Sequence, residues 1–136
     1  MPQDISGEME MSMKDIKRLP ESELEIMQIV WRERPPVSRV TIERILQESH
    51  PLAPTTILTL LTRLTDKGFL AQKKEGRSNL YEPLITEKEY LASESRSFLD
   101  RLFHGSVANF ATALCDSGIE KEELEELKRL LEKGEL

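Results

Sequence analysis

Pro54-Thr55-Thr56-Ile57-Leu58-Thr59-Leu60-Leu61-Thr62-Arg63-Leu64-Thr65-Asp66-Lys67-Gly68-Phe69 reads as one helix with two unlike faces. Ile57, Leu60, Leu61 and Leu64 recur at i, i+3, i+4 and i+7, a spacing that aligns them on one stripe and turns that stripe into a core. Thr55, Thr56, Thr59, Thr62 and Arg63 fall on the other side. Threonine is a mediocre helix former, and Glu, Lys or Gln would outperform it on a merely solvated face. Hydroxyls beside a guanidinium, with few carboxylates, suit the edge of a duplex: Thr and Arg bond phosphates and base edges, and a Thr methyl can touch thymine. Taken by itself the helix is equally a Thr-rich surface, so its neighbours decide.

Upstream, Pro20 falls in the first turn of a helix whose Glu21, Glu23 and Glu25 suit the positive end of the dipole. Leu24, Met27, Ile29, Val30 and Trp31 form its expected buried side, and Pro35-Pro36 ends it. Val37 offers a residue or two of strand. Ser38 caps a second helix in which Val40, Ile42, Ile45 and Leu46 make the core stripe. His50-Pro51-Leu52-Ala53-Pro54 then turns the chain directly into the opening helix, which gives a helix-turn-helix arrangement. Ala53 is a poor cap and Pro54 has no N–H. The backbone donors of Thr55, Thr56 and Ile57 are thus left for water or for an anion such as a phosphate.

Downstream, Gly68 stops the helix and the pattern changes period. Phe69 to Lys74 and Asn79 to Pro83 read as two strands around a four-residue loop, Glu75-Gly76-Arg77-Ser78. Lys73, Lys74 and Arg77 would project from a hairpin placed directly after the candidate reading helix, as the wing of a winged helix does. Charge is distributed accordingly. The net charge is −6, yet the segment 36–82 carries 7 basic against 5 acidic residues and is the only positive part of the chain. A local excess matters more than the total, because salt screens charge beyond about 10 Å.

The last third is helical. Thr86 and Glu89 form a capping-box pattern, and the helix continues through Phe98, Leu99, Leu102 and Phe103 to a break at Gly105-Ser106. Val107, Phe110, Ala111 and Leu114 mark a short second helix. A third, from about Glu120, spaces Leu124, Leu127 and Leu131 at three and four. So much Leu and Phe on an arm beside a domain with its own core calls for a second copy of the chain, the alternative being that the arm folds back on its own domain. Met1 to Arg18 is polar, lacks an apolar period and reads as a loosely ordered arm, in which Met9, Met11 and Met13 offer further translation starts.

The fold expected is mainly α with a small β-hairpin wing: an arm over 1–18, a winged helix-turn-helix domain over 19–84 and a helical dimerisation region over 85–136. The 136 residues hold 38% hydrophobic and 32% charged positions, enough for a modest core under a large solvated surface. Without a long apolar run the chain is expected to be soluble and cytoplasmic. One cysteine, Cys115, and two histidines, His50 and His104, argue against a metal site, and no cofactor is expected. Cys115 reads as a redox handle or, the commoner fate of a single cysteine, as a small buried hydrophobe. No nucleophile with a neighbouring base and no phosphate-cradling loop is present, so an enzyme is not expected.

Glu23-Leu24-Glu25-Ile26-Met27 with Trp31, the Thr-rich helix with Lys67-Gly68, and Gly76-Arg77 with Tyr81 and Pro83 stand in one register. In these motifs the chain resembles the BlaI/MecI penicillinase-repressor family over roughly Leu19 to Leu131. The resemblance implies a bacterial homodimeric repressor whose helix 54–67 lies in the major groove of a palindromic operator and whose wing 69–83 touches the backbone. By matching position, Thr55, Thr56, Thr59 and Arg63 become helix contacts and Arg77 the wing contact. Leu58 departs from the basic residue of the staphylococcal members, so a different specificity is implied; a leucine there reads either as a contact for a thymine methyl or as packing, and the sequence does not choose. The family also implies relief by proteolysis in the C-terminal region, coupled to a membrane sensor peptidase. Asn109-Phe110 is like the family's scissile pair, but the downstream Glu-Leu pattern aligns the cut nearer Thr112 to Leu114. Two rival readings stay open: a winged-helix module that meets protein instead of DNA, and a regulator that answers a small molecule.

Overall fold

The computed structural model describes residues 16–134, so the expectation for most of the N-terminal arm lies outside the described residues. The elements are α1 (Glu21–Arg32), β1 (Val37–Ser38), α2 (Arg39–Ser49), α3 (Pro54–Asp66), β2 (Leu70–Glu75), β3 (Ser78–Pro83), α4 (Glu87–Phe103), α5 (Val107–Asp116) and α6 (Lys121–Lys133). They fall into two compact units that divide inside α4, one through Glu94 and one from Ser95 onward.

In the first unit the three helices surround one apolar core. Ile26, Met27, Val30, Ile42, Leu61, Leu64 and Phe69 lose all or essentially all of their solvent exposure there. Leu24, Trp31 and Ile45 are only half-buried at its edge. Val40, expected in the α2 stripe, is 65% exposed. It sits in the first turn, where Ser38 Oγ accepts from the Thr41 N–H at 3.1 Å, and the stripe that meets the core begins at Ile42. Pro20 occupies the N-cap of α1, one position before the helix, and its carbonyl accepts from Leu24.

Two described residues of the segment that the sequence reads as an arm are held by the first unit: Ile16 packs on the core and Arg18 lies 3.4 Å from the Glu94 carboxylate. Tyr90, on the first turns of α4, is 3% exposed. Its hydroxyl accepts from the Leu19 N–H at 3.0 Å, and its ring lies 5.7 Å from Trp31 and 5.8 Å from Phe69. Thr86 and Glu89 cap that helix reciprocally, as the capping-box pattern predicts.

The helix-to-wing turn has a definite chemistry. Lys67 is the C-cap of α3, Gly68 follows at φ +83°, the Gly68 N–H donates to Thr65 O at 3.1 Å and the Phe69 N–H to Leu64 O at 2.9 Å. This bond pair is a Schellman motif, and the buried Leu64 and Phe69 supply its usual apolar contact. The strands form an antiparallel sheet of order β1-β3-β2, with Val37 opposite Tyr81 and Gln72 opposite Tyr81 on the other side. Burial raises the Tyr81 hydroxyl above its ordinary value, and the nearby Arg39 charge opposes the shift. Glu75 pairs with Ser78, which leaves a two-residue loop, Gly76-Arg77, in place of the expected four. Gly76 takes φ +64°, the requirement of a hairpin whose first loop residue is glycine.

The second unit holds the end of α4 with α5 and α6. Phe98, Phe103 and Phe110 meet in an aromatic cluster with centroids 5.5–6.0 Å apart. Ser106 caps α5, and a Glu120/Glu123 capping box starts α6. Cys115 is exposed, contrary to the expectation of a buried thiol: it lies on the face of α5 away from Phe110 and Leu114.

One polar side chain inside the first unit was not anticipated. Glu23 is 2% exposed, and its Oε1 accepts from Lys67 Nζ at 2.5 Å, tying the start of α1 to the C-cap of α3. Removing the cation strands a buried carboxylate. Lys67→Met should therefore lower the stability of the folded chain by roughly 2–3 kcal/mol in urea unfolding. Glu23→Gln, which keeps an acceptor for Lys67, should lose less than half of that. Equal stability of Lys67→Met and the native chain would remove the pair from the account of the fold.

Candidate nucleic-acid interface

The fold sorts the α3 side chains as their spacing predicts. Ile57, Leu60, Leu61 and Leu64 are buried, while Thr55, Thr56, Leu58, Thr59, Thr62 and Arg63 are exposed. From Pro54 to Thr65 the helix carries no carboxylate.

The hydroxyls divide into two kinds. Thr59 Oγ1 donates to Thr55 O at 3.0 Å and Thr62 Oγ1 to Leu58 O at 3.0 Å, the back-bond that threonine makes inside a helix. Their protons are therefore committed, and what they present outward is an oxygen acceptor and a methyl group. Thr55 and Thr56 make no such bond among the described residues, so their hydroxyls remain free to donate. Sequence reasoning treated all four hydroxyls alike, because the back-bond depends on rotamers and not on composition.

The start of α3 has no side-chain cap, and Ala53 enters it from extended backbone at φ −62°, ψ 145°. The Ile57 N–H, expected to lack a partner, donates to Ala53 O at 3.0 Å because the helical hydrogen-bond ladder begins there. Only the Thr55 and Thr56 donors are left open in that turn. They point along the helix axis at its positive end, an arrangement suited to an anionic oxygen.

The wing side chains do not act as one set. Lys73 and Lys74 sit on opposite faces of β2, as successive strand residues must. Lys73 Nζ lies 3.3 Å from Glu82 Oε2 on the adjacent strand and is partly neutralised. Lys74, on the ribbon face that also carries Leu70 and Tyr81, and Arg77, in the loop, are exposed and have no ion pair among the described residues. Two other basic residues of the segment are also engaged: Lys67 with Glu23, and Arg39 with Glu43 at 3.3 Å. Arg44, Arg63, Lys74 and Arg77 are left as its unengaged cations among the described residues.

The dimerisation candidates lie in the second unit. Phe98, Leu102 and Leu131 are exposed, and Leu99, Phe103, Phe110, Leu114, Leu124 and Leu127 are half-buried. No described residue from Ser95 onward is buried. Neither a group of three or more metal-ligating side chains nor a helix long and apolar enough to cross a membrane occurs among the described residues.

Known proteins resemble this chain in sequence and fold. The penicillinase repressor family profile matches residues 9–133. The penicillinase repressor of Bacillus licheniformis is 34% identical over 121 residues, covering 88% of this chain and 94% of that one. The methicillin resistance regulatory protein MecI of Mammaliicoccus sciuri is 30% identical over 113 residues, covering 82% of this chain and 91% of that one. Among solved structures, the DNA-binding domain of the repressor BlaI superposes with a TM-score of 0.50 at 35% identity, covering 55% of this chain and 90% of that one. With a family match across nearly its whole length and the winged-helix architecture of that solved domain, the chain belongs to the penicillinase repressor family of DNA-binding transcriptional repressors, which are not enzymes.

Proposed function

We infer that this protein represses transcription as a homodimer, laying α3 in the major groove of a palindromic operator and resting the β2–β3 wing on the neighbouring backbone. The observation that carries the reading is the outward face of α3, where open hydroxyl and N–H donors, a free guanidinium and no carboxylate before Asp66 line one exposed surface. Thr55, Thr56 and Arg63 are the donors toward phosphate and base edges, and Thr59 and Thr62 contribute acceptors and methyl groups. Arg77 and Lys74 are the wing contacts. Lys73 serves the wing's own cross-strand pair first. The names of the relatives support the same reading, a penicillinase repressor and a DNA-binding domain of a repressor.

Association through the second unit is supported by the absence of any buried residue among its described residues together with the Leu and Phe content of α4, α5 and α6. A two-fold pair would set two reading helices on half-sites separated by about one helical turn, roughly 10 bp, or a multiple. Asn109-Phe110 lies in the first turn of α5, its N–H bonded to Ser106 Oγ at 3.1 Å. Relief by cleavage there requires that turn to open, since a peptidase needs extended backbone.

Selection of bound duplexes from random sequence tests the reading directly. The expected result is a palindromic consensus; a chain that binds no duplex better than random sequence overturns it. On the selected duplex, Arg63→Ala and Arg77→Ala should each weaken binding and each reduce the slope of log affinity against log salt by about 1. Unchanged slopes would return both residues to the solvated surface. Leu127→Asp should convert the dimer to a monomer in sedimentation and weaken operator binding at least tenfold, with helical content from circular dichroism checking that α6 persists. A monomer that binds the full operator undiminished would remove the two-fold arrangement.

A further inference from the structure

The outward face of α3 includes one large side chain to which the contacts above give no task. Leu58 is 41% exposed and stands among the exposed Thr55, Thr59 and Thr62, three before it, one after and four after in the chain. It lies at the edge of that face, one residue after the buried Ile57 and three before the buried Leu61, so packing covers only part of it and leaves the rest facing outward. The two neighbours that follow have turned their hydroxyl protons inward to Thr55 O and to Leu58's own carbonyl. Leu58 is thus the centre of a strip of aliphatic carbon, with the donors Thr55 and Thr56 near one end and Arg63 near the other.

In a major groove every base pair offers polar edges, and the apolar feature that distinguishes one standard base is the C5 methyl of thymine. Pressing an isobutyl group on a polar edge would strip water from an acceptor or donor without replacing the bond. Against a methyl it only displaces water from carbon. We propose that Leu58, together with the Thr59 and Thr62 methyl groups, reads thymine through its C5 methyl and so selects thymine over cytosine at the step it faces. This inference rests on α3 lying in the major groove.

The test uses the full chain and the selected duplex, with thymines replaced by deoxyuridine one at a time. That exchange removes a methyl group and leaves the hydrogen-bonding edges intact. At one thymine of each half-site the deoxyuridine duplex should bind the native chain about fourfold more weakly, the factor that burial of one methyl group supplies. Leu58→Ala, at an exposed position, should lose most of the preference, the Thr59 and Thr62 methyl groups holding the remainder, and Leu58→Met should retain it. Arg63→Ala should weaken both duplexes alike and leave their ratio unchanged. A native chain that binds every deoxyuridine duplex as it binds the thymine one overturns the role of Leu58 while the groove reading stands. A Leu58→Ala chain that keeps the full preference also overturns it. Failure to prefer any duplex over random sequence overturns the groove reading and this inference with it.

Discussion

The junction of α3 with the wing is the constraint on which the rest of this structure depends. The Leu64, Thr65, Gly68 and Phe69 backbone closes the helix with two nested bonds, and Phe69 enters the core as it leaves the turn. A residue with a Cβ would meet no clash at Gly68, but it would have to hold φ +83°, which the left-handed region makes costly for any side chain. Because only Lys67, Gly68 and Phe69 separate α3 from β2, the wing starts directly after the helix. The loop of the hairpin and the outward face of α3 are therefore held by one short, covalently continuous piece. Glu23 adds a second hold on the same spot through Lys67, from the other end of the core.

That junction was legible in the sequence, since a Lys-Gly stop before an apolar residue is a local signal. The α3 stripe, the Ser38 cap and the Thr86/Glu89 box were legible for the same reason: each depends on residues within one or two turns. What escaped was long-range. Glu23 reads as an ordinary first-turn acid and is instead buried, because its partner is 44 residues away. Tyr90 reads as one more helical residue and instead joins Leu19, Trp31 and Phe69, none of them near it in the chain. Val40 fits the period of α2 yet faces solvent, because period does not say at which turn a helix meets its neighbours. The hairpin loop reads as four residues in the sequence and has two in the fold, since Glu75 and Ser78 are polar whether or not they pair.

The candidate interface shows why counting charges is a poor guide to a binding face. Of the 7 basic residues in 36–82, Lys67, Lys73 and Arg39 face carboxylates of their own chain. Hydroxyls need the same scrutiny: a threonine bonded to its own helix offers a groove an acceptor and carbon, and one at an uncapped first turn offers a donor. The α3 surface is thereby graded along its length, from donors at its start, through carbon in the middle, to a cation near its end. Such a gradient constrains the polarity with which a helix can lie against a duplex.

The second unit, in which no described residue is buried, has a consequence for dose. In the proposed dimer the segment is completed by its twin, so its order rises with the concentration of the chain by mass action. Occupancy of a two-fold operator then climbs faster than in proportion to the amount of protein made. A cell holding such a repressor near its association midpoint would pass from open to shut promoter over a narrow range of supply, with the steepness set by the bareness of α5 and α6 rather than by any contact with DNA.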